Sequence, residues 1–314
     1  MQENILKHID SAKKITIFSH INVDGDGVGS ALALFCYCKN LGKEVCVSID
    51  SVLPANLMWL PDIGAINNNC FYSGDLALVA DCNDKDRIGS KKFKLSKFNK
   101  VMQIDHHQDN KMFADYNYVI KQYSSTCEVI LDLMVQANKS ITPEIALNLL
   151  VGILTDTGNL SYNTTTSNTL RKVADLLDKS NLSISYLTER LFSSNSMNIF
   201  KLKKIIYPKV KFFNNDEFAL IPVSLEDLKQ CNVDLADTKS LIEIGLSIQS
   251  VKVLVMITEA EQGVCYVSFR SKGQIDCSKF AEVFGGGGHV NASGCRIYDN
   301  LETVINKIKK VVNF

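Results

Sequence analysis

The chain has 314 residues, 46% hydrophobic and 22% charged, which is enough for two cores of ordinary domain size and excludes a disordered or membrane-embedded class. Lys+Arg and Asp+Glu both total 34, so no bulk attraction can hold a long nucleic-acid backbone; nucleotides are expected to bind locally, without a long-nucleic-acid track. The ten cysteines include no C-x-x-C pair, which argues against zinc ribbons and redox motifs and fits reduced, mostly buried thiols.

The opening MQENILKHIDSAKK is polar and amphipathic and lacks the apolar core of a secretory signal. The longest apolar runs, such as LNLLVGIL at 147–154, fall far short of the ~20 residues that span a bilayer. No membrane partner is expected, and the protein is expected to be cytoplasmic. Residues 15–19 (ITIFS) predict a strand, followed by a Gly-punctuated loop and a helix near 27–41. Further strands are expected at 44–49, 76–82 and 100–107, each turning polar at its end. Apolar strands separated by helical segments argue for a parallel sheet covered on both faces. Helices should follow at about 124–138, 142–155, 167–179 and 183–192. After the segment SMNIFKLKKIIYPK the pattern changes to alternating strands (KVKFF, EFALIPV, VKVLVMITEA, GVCYVSFR) with helices near 234–247, 276–284 and 300–312. The expected fold class is therefore α/β: an N-terminal parallel-sheet domain over 1–192, a helical connector over 193–209, and a smaller α+β domain over 210–314.

Ligands of open α/β sheets bind outside the carboxyl ends of the strands. At those ends stand His20, Asp24 and Asp26 in SHINVDGDGVGS, Asp81 in VADCND, and Asp105-His106-His107; Asp156 closes the apolar helix in GILTDTGNL. Imidazole nitrogen mixed with carboxylate oxygen suits Mn²⁺, Fe²⁺ or Zn²⁺, whereas all-oxygen sets favour Mg²⁺ or Ca²⁺. Taken alone, Asp24-Gly25-Asp26-Gly27 reads equally as a turn, and Asp81 as a helix N-cap. Three titratable residues closing an apolar strand gain nothing for packing and would be costly there without partners. His8 sits on an ordinary surface helix and is given no role. In the second half Arg270 closes a strand in SFRSKG, where a guanidinium can grip a phosphate with paired hydrogen bonds. Gly285, Gly286, Gly287 and Gly288 lack Cβ atoms and allow backbone N–H groups close to an anion, with His289 and Asn291 adjoining; a flexible hinge is the other reading of the run. The run lacks the Lys-Ser/Thr ending of a P-loop, so nucleoside triphosphate hydrolysis is not indicated.

These motifs together resemble the DHH phosphoesterase superfamily, in its subgroup with a C-terminal DHHA1 domain. SHINVDGDGVGS, VADCND, DHH at 105–107 and TDTGNLSY resemble its four motifs in order, and FRSKGQIDCSKFAEVFGGGGHVNASG resembles the DHHA1 signature. Asn22 departs from the pattern, standing where many members carry proline. The resemblance implies two divalent metal ions, with Mn²⁺ expected. One would be held by His20, Asp24 and Asp81, the other by Asp26, Asp81, His106 and Asp156, with Asp81 bridging and a shared water acidified to the attacking hydroxide. His107 would face the substrate as donor or acid, with Asp105 orienting a neighbour. Arg270, Gly286, Gly287, Gly288, His289 and Asn291 would hold the substrate across an interdomain cleft. The expected substrates are short RNA oligonucleotides, linear dinucleotides or 3′-phosphoadenosine 5′-phosphate. An inorganic-pyrophosphatase-like hydrolase and a non-catalytic nucleotide sensor are the alternatives. Substrate choice, polarity of attack and a homodimer are left open.

Overall fold

Each apolar strand of the first half is flanked by strands of the same direction. β1 (Lys14–Phe18), β2 (Glu44–Ser48), β3 (Gly74–Ala80), β4 (Phe98–Asp105) and β5 (Tyr116–Val119) form one sheet in the order β2-β1-β3-β4-β5, and every pair is parallel. The computed structural model describes residues 2–193 and 196–312, divided into the units Met1–Ser194 and Asn195–Phe314. No described helix is long and apolar enough to cross a membrane.

In the first unit, α1 (Gln2–Ser11) precedes β1, and α2 (Gly25–Asn40) follows it. From Gly25 to Cys38 every residue of α2 is buried, as expected of a helix that is apolar all round. It packs on α3 (Thr126–Gln136) and α4 (Pro143–Asp156), with α5 (Ser167–Ser180) and the short α6 (Ile184–Thr188) beyond. A Cβ at Gly29 would collide with the Asn148 carbonyl of α4, so this crossing needs glycine for the close approach of two backbones. Between β3 and β4 no α-helix forms. Lys85–Lys97 (KDRIGSKKFKLSK) instead makes 3-10 turns broken at Gly89 (φ 75), because only Ile88 and Leu95 are buried and no helical apolar period exists. Beneath it a small core of Phe18, Ala77, Val79, Cys82, Ile88, Leu95 and Phe98 covers that face of the sheet.

The second unit begins with α7 (Met197–Ile206), which lies within the expected connector; its Ile199, Leu202 and Ile206 belong to this unit's core. β6 (Lys211–Phe213), β7 (Phe218–Val223), α8 (Leu225–Cys231), α9 (Glu243–Leu246), β8 (Val253–Glu261), β9 (Val264–Ser271), α10 (Ser278–Glu282), β10 (Gly287–His289), β11 (Ala292–Ile297) and α11 (Leu301–Val311) follow. The sheet order is β10-β11-β9-β8-β7-β6, antiparallel except for β7 with β8. The period of two divides β7 and β8 between two cores. Phe218 and Leu220 face the α10 and α11 side, whereas Ala219, Ile221 and Val223 face α7 and α8.

Candidate metal centre and phosphate grip

β1, β3 and β4 run in the same direction in adjacent register, so the residues after them share one edge. That edge gathers His20, Asp24, Asp81, Asp105, His106 and His107, while Asp26 enters from the first turn of α2 and Asp156 from the last of α4. Asp81 lies at their centre. Its Oδ2 is 3.3 Å from His20 Nε2, and its Oδ1 is 3.8 Å from His106 Nε2 and 3.6 Å from His107 Nδ1. His20 Nε2 also lies 3.6 Å from Asp24 Oδ1, and His106 Nε2 lies 3.8 Å from Asp26 Oδ2 and 3.2 Å from Asp156 Oδ2. The donor groups formed here include His20/Asp24/Asp81 and Asp26/His106/Asp156, each with ligand atoms within 4.8 Å of one another, and Asp81 also joins Asp105 and His107 in such a group. All eight sequence-predicted residues of this edge are thus brought together.

The surrounding hydrogen bonds orient these donors. His20 Nδ1 lies 2.8 Å from its neighbour Ile21 O, and His106 Nδ1 lies 3.2 Å from Tyr123 O. An N–H donated to each carbonyl turns Nε2 toward the carboxylates. His107 Nδ1 lies 2.8 Å from Asp105 Oδ1, and Asn110 Nδ2 donates to the other Asp105 oxygen. Several holders were not legible as functional residues. At the N-terminus of α3, Thr126 N–H donates to Asp26 Oδ2 (2.6 Å) and Cys127 N–H to Asp26 Oδ1 (2.9 Å), while Thr126 Oγ1 donates to Asp81 Oδ1 (3.0 Å). The Ser-x-x-Glu pattern at 125–128 marks this helix start, with Ser125 Oγ accepting from Glu128 N at 3.0 Å. Arg87 places a guanidinium nitrogen 3.1 Å from His20 Nδ1. Asn22 stands at φ 57, a backbone that proline, fixed near φ ≈ −65°, does not reach.

Burial, with the charges of Asp81 and Asp156, pushes the Asp26 carboxyl well above its usual range, and burial also raises Asp156. Burial acts upward on Asp81 too, but the hydrogen bond from His20 and the charge of His107 outweigh it and hold Asp81 below the carboxylate range. Burial and Arg87 act downward on His20, yet Asp24 and Asp81 carry it to about 9. Five carboxylates crowded among three imidazoles, two of the carboxylates fully buried, make an excess of negative charge that divalent cations relieve. Mixed nitrogen and oxygen donors are chemically suited to them.

The second unit carries the other predicted set. Arg270 on β9 pairs with Ala292 on β11, which pairs with His289 on β10. Residues directly opposite share a face, so Arg270 and His289 flank a small alanine about 10 Å apart in backbone, two strand spacings. Phe269, next to Arg270, points the other way into the core. Arg270 Nε is buried with no hydrogen-bond partner among the described residues, a donor that an anion can satisfy. The glycine run is neither an open loop nor a hinge. Gly287 and Gly288 pair with Gly294 and Ser293 in a strand, and Gly286 is small because a Cβ would strike the Gly294 carbonyl. Asn291 spends its amide on the turn below, donating to Ser271 Oγ (3.0 Å) and Gly273 O (3.1 Å).

Residues 14–153 match the family model described as DHH family, N-terminal domain, and residues 222–313 match the DHHA1 domain. The bifunctional oligoribonuclease and PAP phosphatase NrnA of Thermus thermophilus is 30% identical over 295 residues, covering 93% of this chain and 86% of that protein. The probable bifunctional oligoribonuclease and PAP phosphatase NrnA of Streptococcus mutans is 28% identical, covering 96% and 94%. Among solved structures, an exopolyphosphatase-related protein from Bacteroides fragilis superposes with a TM-score of 0.89 at 25% identity, covering 99% of this chain and 94% of that one.

Proposed function

The chain belongs to the DHH family, and from that membership and its metal centre we propose that it is a metal-dependent phosphoesterase. Its proposed substrates are very short oligoribonucleotides, linear dinucleotides and 3′-phosphoadenosine 5′-phosphate. The observation that carries this reading is the Asp81 carboxylate, with one oxygen 3.3 Å from His20 and the other 3.8 Å from His106. One anion shared by two donor groups is the arrangement a dinuclear site requires. His20, Asp24 and Asp81 would hold one cation, and Asp26, Asp81, His106 and Asp156 the other, with Mn²⁺ favoured by the nitrogen donors. When bound, two such cations acidify water and neutralise charge on the attacked phosphate.

The chain's own groups do the rest. Asp105 accepts from His107 Nδ1 and fixes the ring, and proton transfer to the departing oxygen runs through His107 Nε2. In the second unit, Arg270 and His289 take the substrate's phosphate over a floor of Ala292. Gly286, Gly287, Gly288 and Asn291 act by shaping that floor. The names of the Thermus and Streptococcus relatives support the substrate class. Ten free cysteines support a reducing, cytoplasmic setting.

The test is a product time course with Mn²⁺ on 5′-labelled RNAs of about two to twenty-four nucleotides, 3′-phosphoadenosine 5′-phosphate, linear diadenylate and pyrophosphate, a range chosen to bracket local binding. Mononucleotides should accumulate from the shortest RNAs. Turnover of pyrophosphate alone would replace this reading with a pyrophosphatase.

A further inference from the structure

The only tryptophan in the chain is Trp59, and it stands in no core strand or helix. β2 runs parallel to β1, with Ser48 opposite Phe18, so the loop after β2 leaves at the same edge as His20. Ser51 Oγ in that loop accepts from Val23 N–H at 3.3 Å, next to Asp24. On the far side of the metal centre, Asn159, three residues past Asp156, accepts from Thr188 Oγ1 at 3.2 Å. The two loops meet where Asn56 Nδ2 donates to Leu191 O at 2.8 Å. At that meeting point Tyr186 stands edge-on to Trp59, ring centroids 5.8 Å apart at 88°. The Arg190 guanidinium lies 5.8 Å from the Trp59 ring and 5.4 Å from the Tyr186 ring.

Trp59 is half-buried, one side packed on the core, and its partners Tyr186 and Arg190 are exposed. Trp59 Nε1 donates to Asn56 O at 2.8 Å, which fixes the indole, while Tyr186 is 37% exposed and neighbouring Met58 54% exposed. A rigid indole, a phenol and a guanidinium plane are the surfaces on which unpaired nucleobases stack, tolerantly of sequence. We propose that Trp59, Tyr186 and Arg190 form a nucleobase-stacking subsite where the loop after β2 meets the segment after α5 in the first unit. This inference rests on the nucleotide-hydrolase reading and adds a base contact in the metal-bearing unit, apart from the phosphate grip on β9 and β10. Arg190 lies over the base and Tyr186 borders it, so the site selects a base-bearing substrate over a bare phosphate ester.

Because Trp59 is the sole indole, its fluorescence reports this site alone. The full-length protein with its metals is titrated with adenosine 5′-monophosphate and, separately, with ribose 5-phosphate. The nucleotide should quench Trp59 saturably and the sugar phosphate should not. Tyr186→Ala and Arg190→Ala should each weaken nucleotide binding about tenfold. Arg190→Lys, which keeps the charge but loses the plane, should weaken it too. Metal content and melting temperature show that each variant is folded. Equal response to both ligands, or nucleotide binding unchanged in all three variants, overturns the subsite. Release of nucleotide from diadenylate is followed in the same preparation. Hydrolysis with a silent Trp59 removes this inference and leaves the proposed function, whereas a responding Trp59 without hydrolysis does the reverse.

Discussion

Asp81 adopts φ 54, a left-handed backbone that costs a non-glycine residue about 1 kcal/mol or more. It is held there by its N–H bond to Ile104 O (3.0 Å) and by the donors around its carboxylate. Strain placed where one carboxylate addresses two histidines implies a shared anion. Asp81→Ala should therefore abolish turnover and lower bound metal more than His20→Ala does, as read by metal analysis of both proteins; near-normal activity with two metals retained would refute the dinuclear assignment. Thr126→Val removes the hydroxyl from Asp81 while leaving the residue's size unchanged, and should weaken metal binding about tenfold or more. An unchanged metal dissociation constant would show that hydroxyl to be idle. Mn²⁺ should support faster hydrolysis than Mg²⁺ when each refills the metal-free protein, because imidazole ligands suit it better. Equal rates would count against the nitrogen donors. The metal-edge residues were legible in the sequence because their chemistry is in their side chains. The amides of Thr126 and Cys127 that hold Asp26 were not, since every residue carries a backbone N–H and only the fold aims it.

Among elements, those with long apolar runs were readable, and short or glycine-rich ones were not. β5 is four residues of alternating polarity, and β10 is Gly-Gly-His, with almost no strand propensity of its own; pairing with β11 makes it a strand. Between β3 and β4 no α-helix forms because lysines and a glycine stand where a covering helix needs apolar residues. α8 shows how a short helix is fixed. Ser224 and Asp227 cap it reciprocally, and Lys209 Nζ lies 2.6 Å from Asp227 Oδ1. Burial acts upward on Asp227, but Lys209 and Ser224 hold its carboxyl below the usual range. A carboxyl depressed in the folded state contributes stability above its unfolded value near 3.9, lost as pH falls through the folded value. Asp227→Ala should destabilise the protein by about 1–2 kcal/mol at pH 7. That deficit should begin to shrink below about pH 4, where the unfolded chain's carboxyl takes up a proton, and shrink further as pH falls through the lower folded value. Denaturant melts at both pH values measure it, and a deficit independent of pH would exclude the ion pair as its source.

The whole molecule has zero net charge, and its proposed phosphate grip is a single row across three strands. Neither feature draws in a long strand, so binding energy should saturate after a few nucleotides. Dinucleotides to roughly pentanucleotides should show higher kcat/KM than a 24-mer, and Arg270→Ala should penalise them while leaving metal content intact. Preference that climbs steadily with length would point instead to a processive nuclease. The hydrogen bonds from Thr126 and Cys127 to Asp26 have a further consequence during synthesis. They join residues 100 and 101 positions apart, and Asp156 arrives later still. A chain leaving the ribosome, which makes about 5–20 residues per second, therefore carries an incomplete donor set until α4 has emerged. The proposed metal site cannot assemble during those seconds, and short RNA fragments beside the nascent chain meet only separated donors.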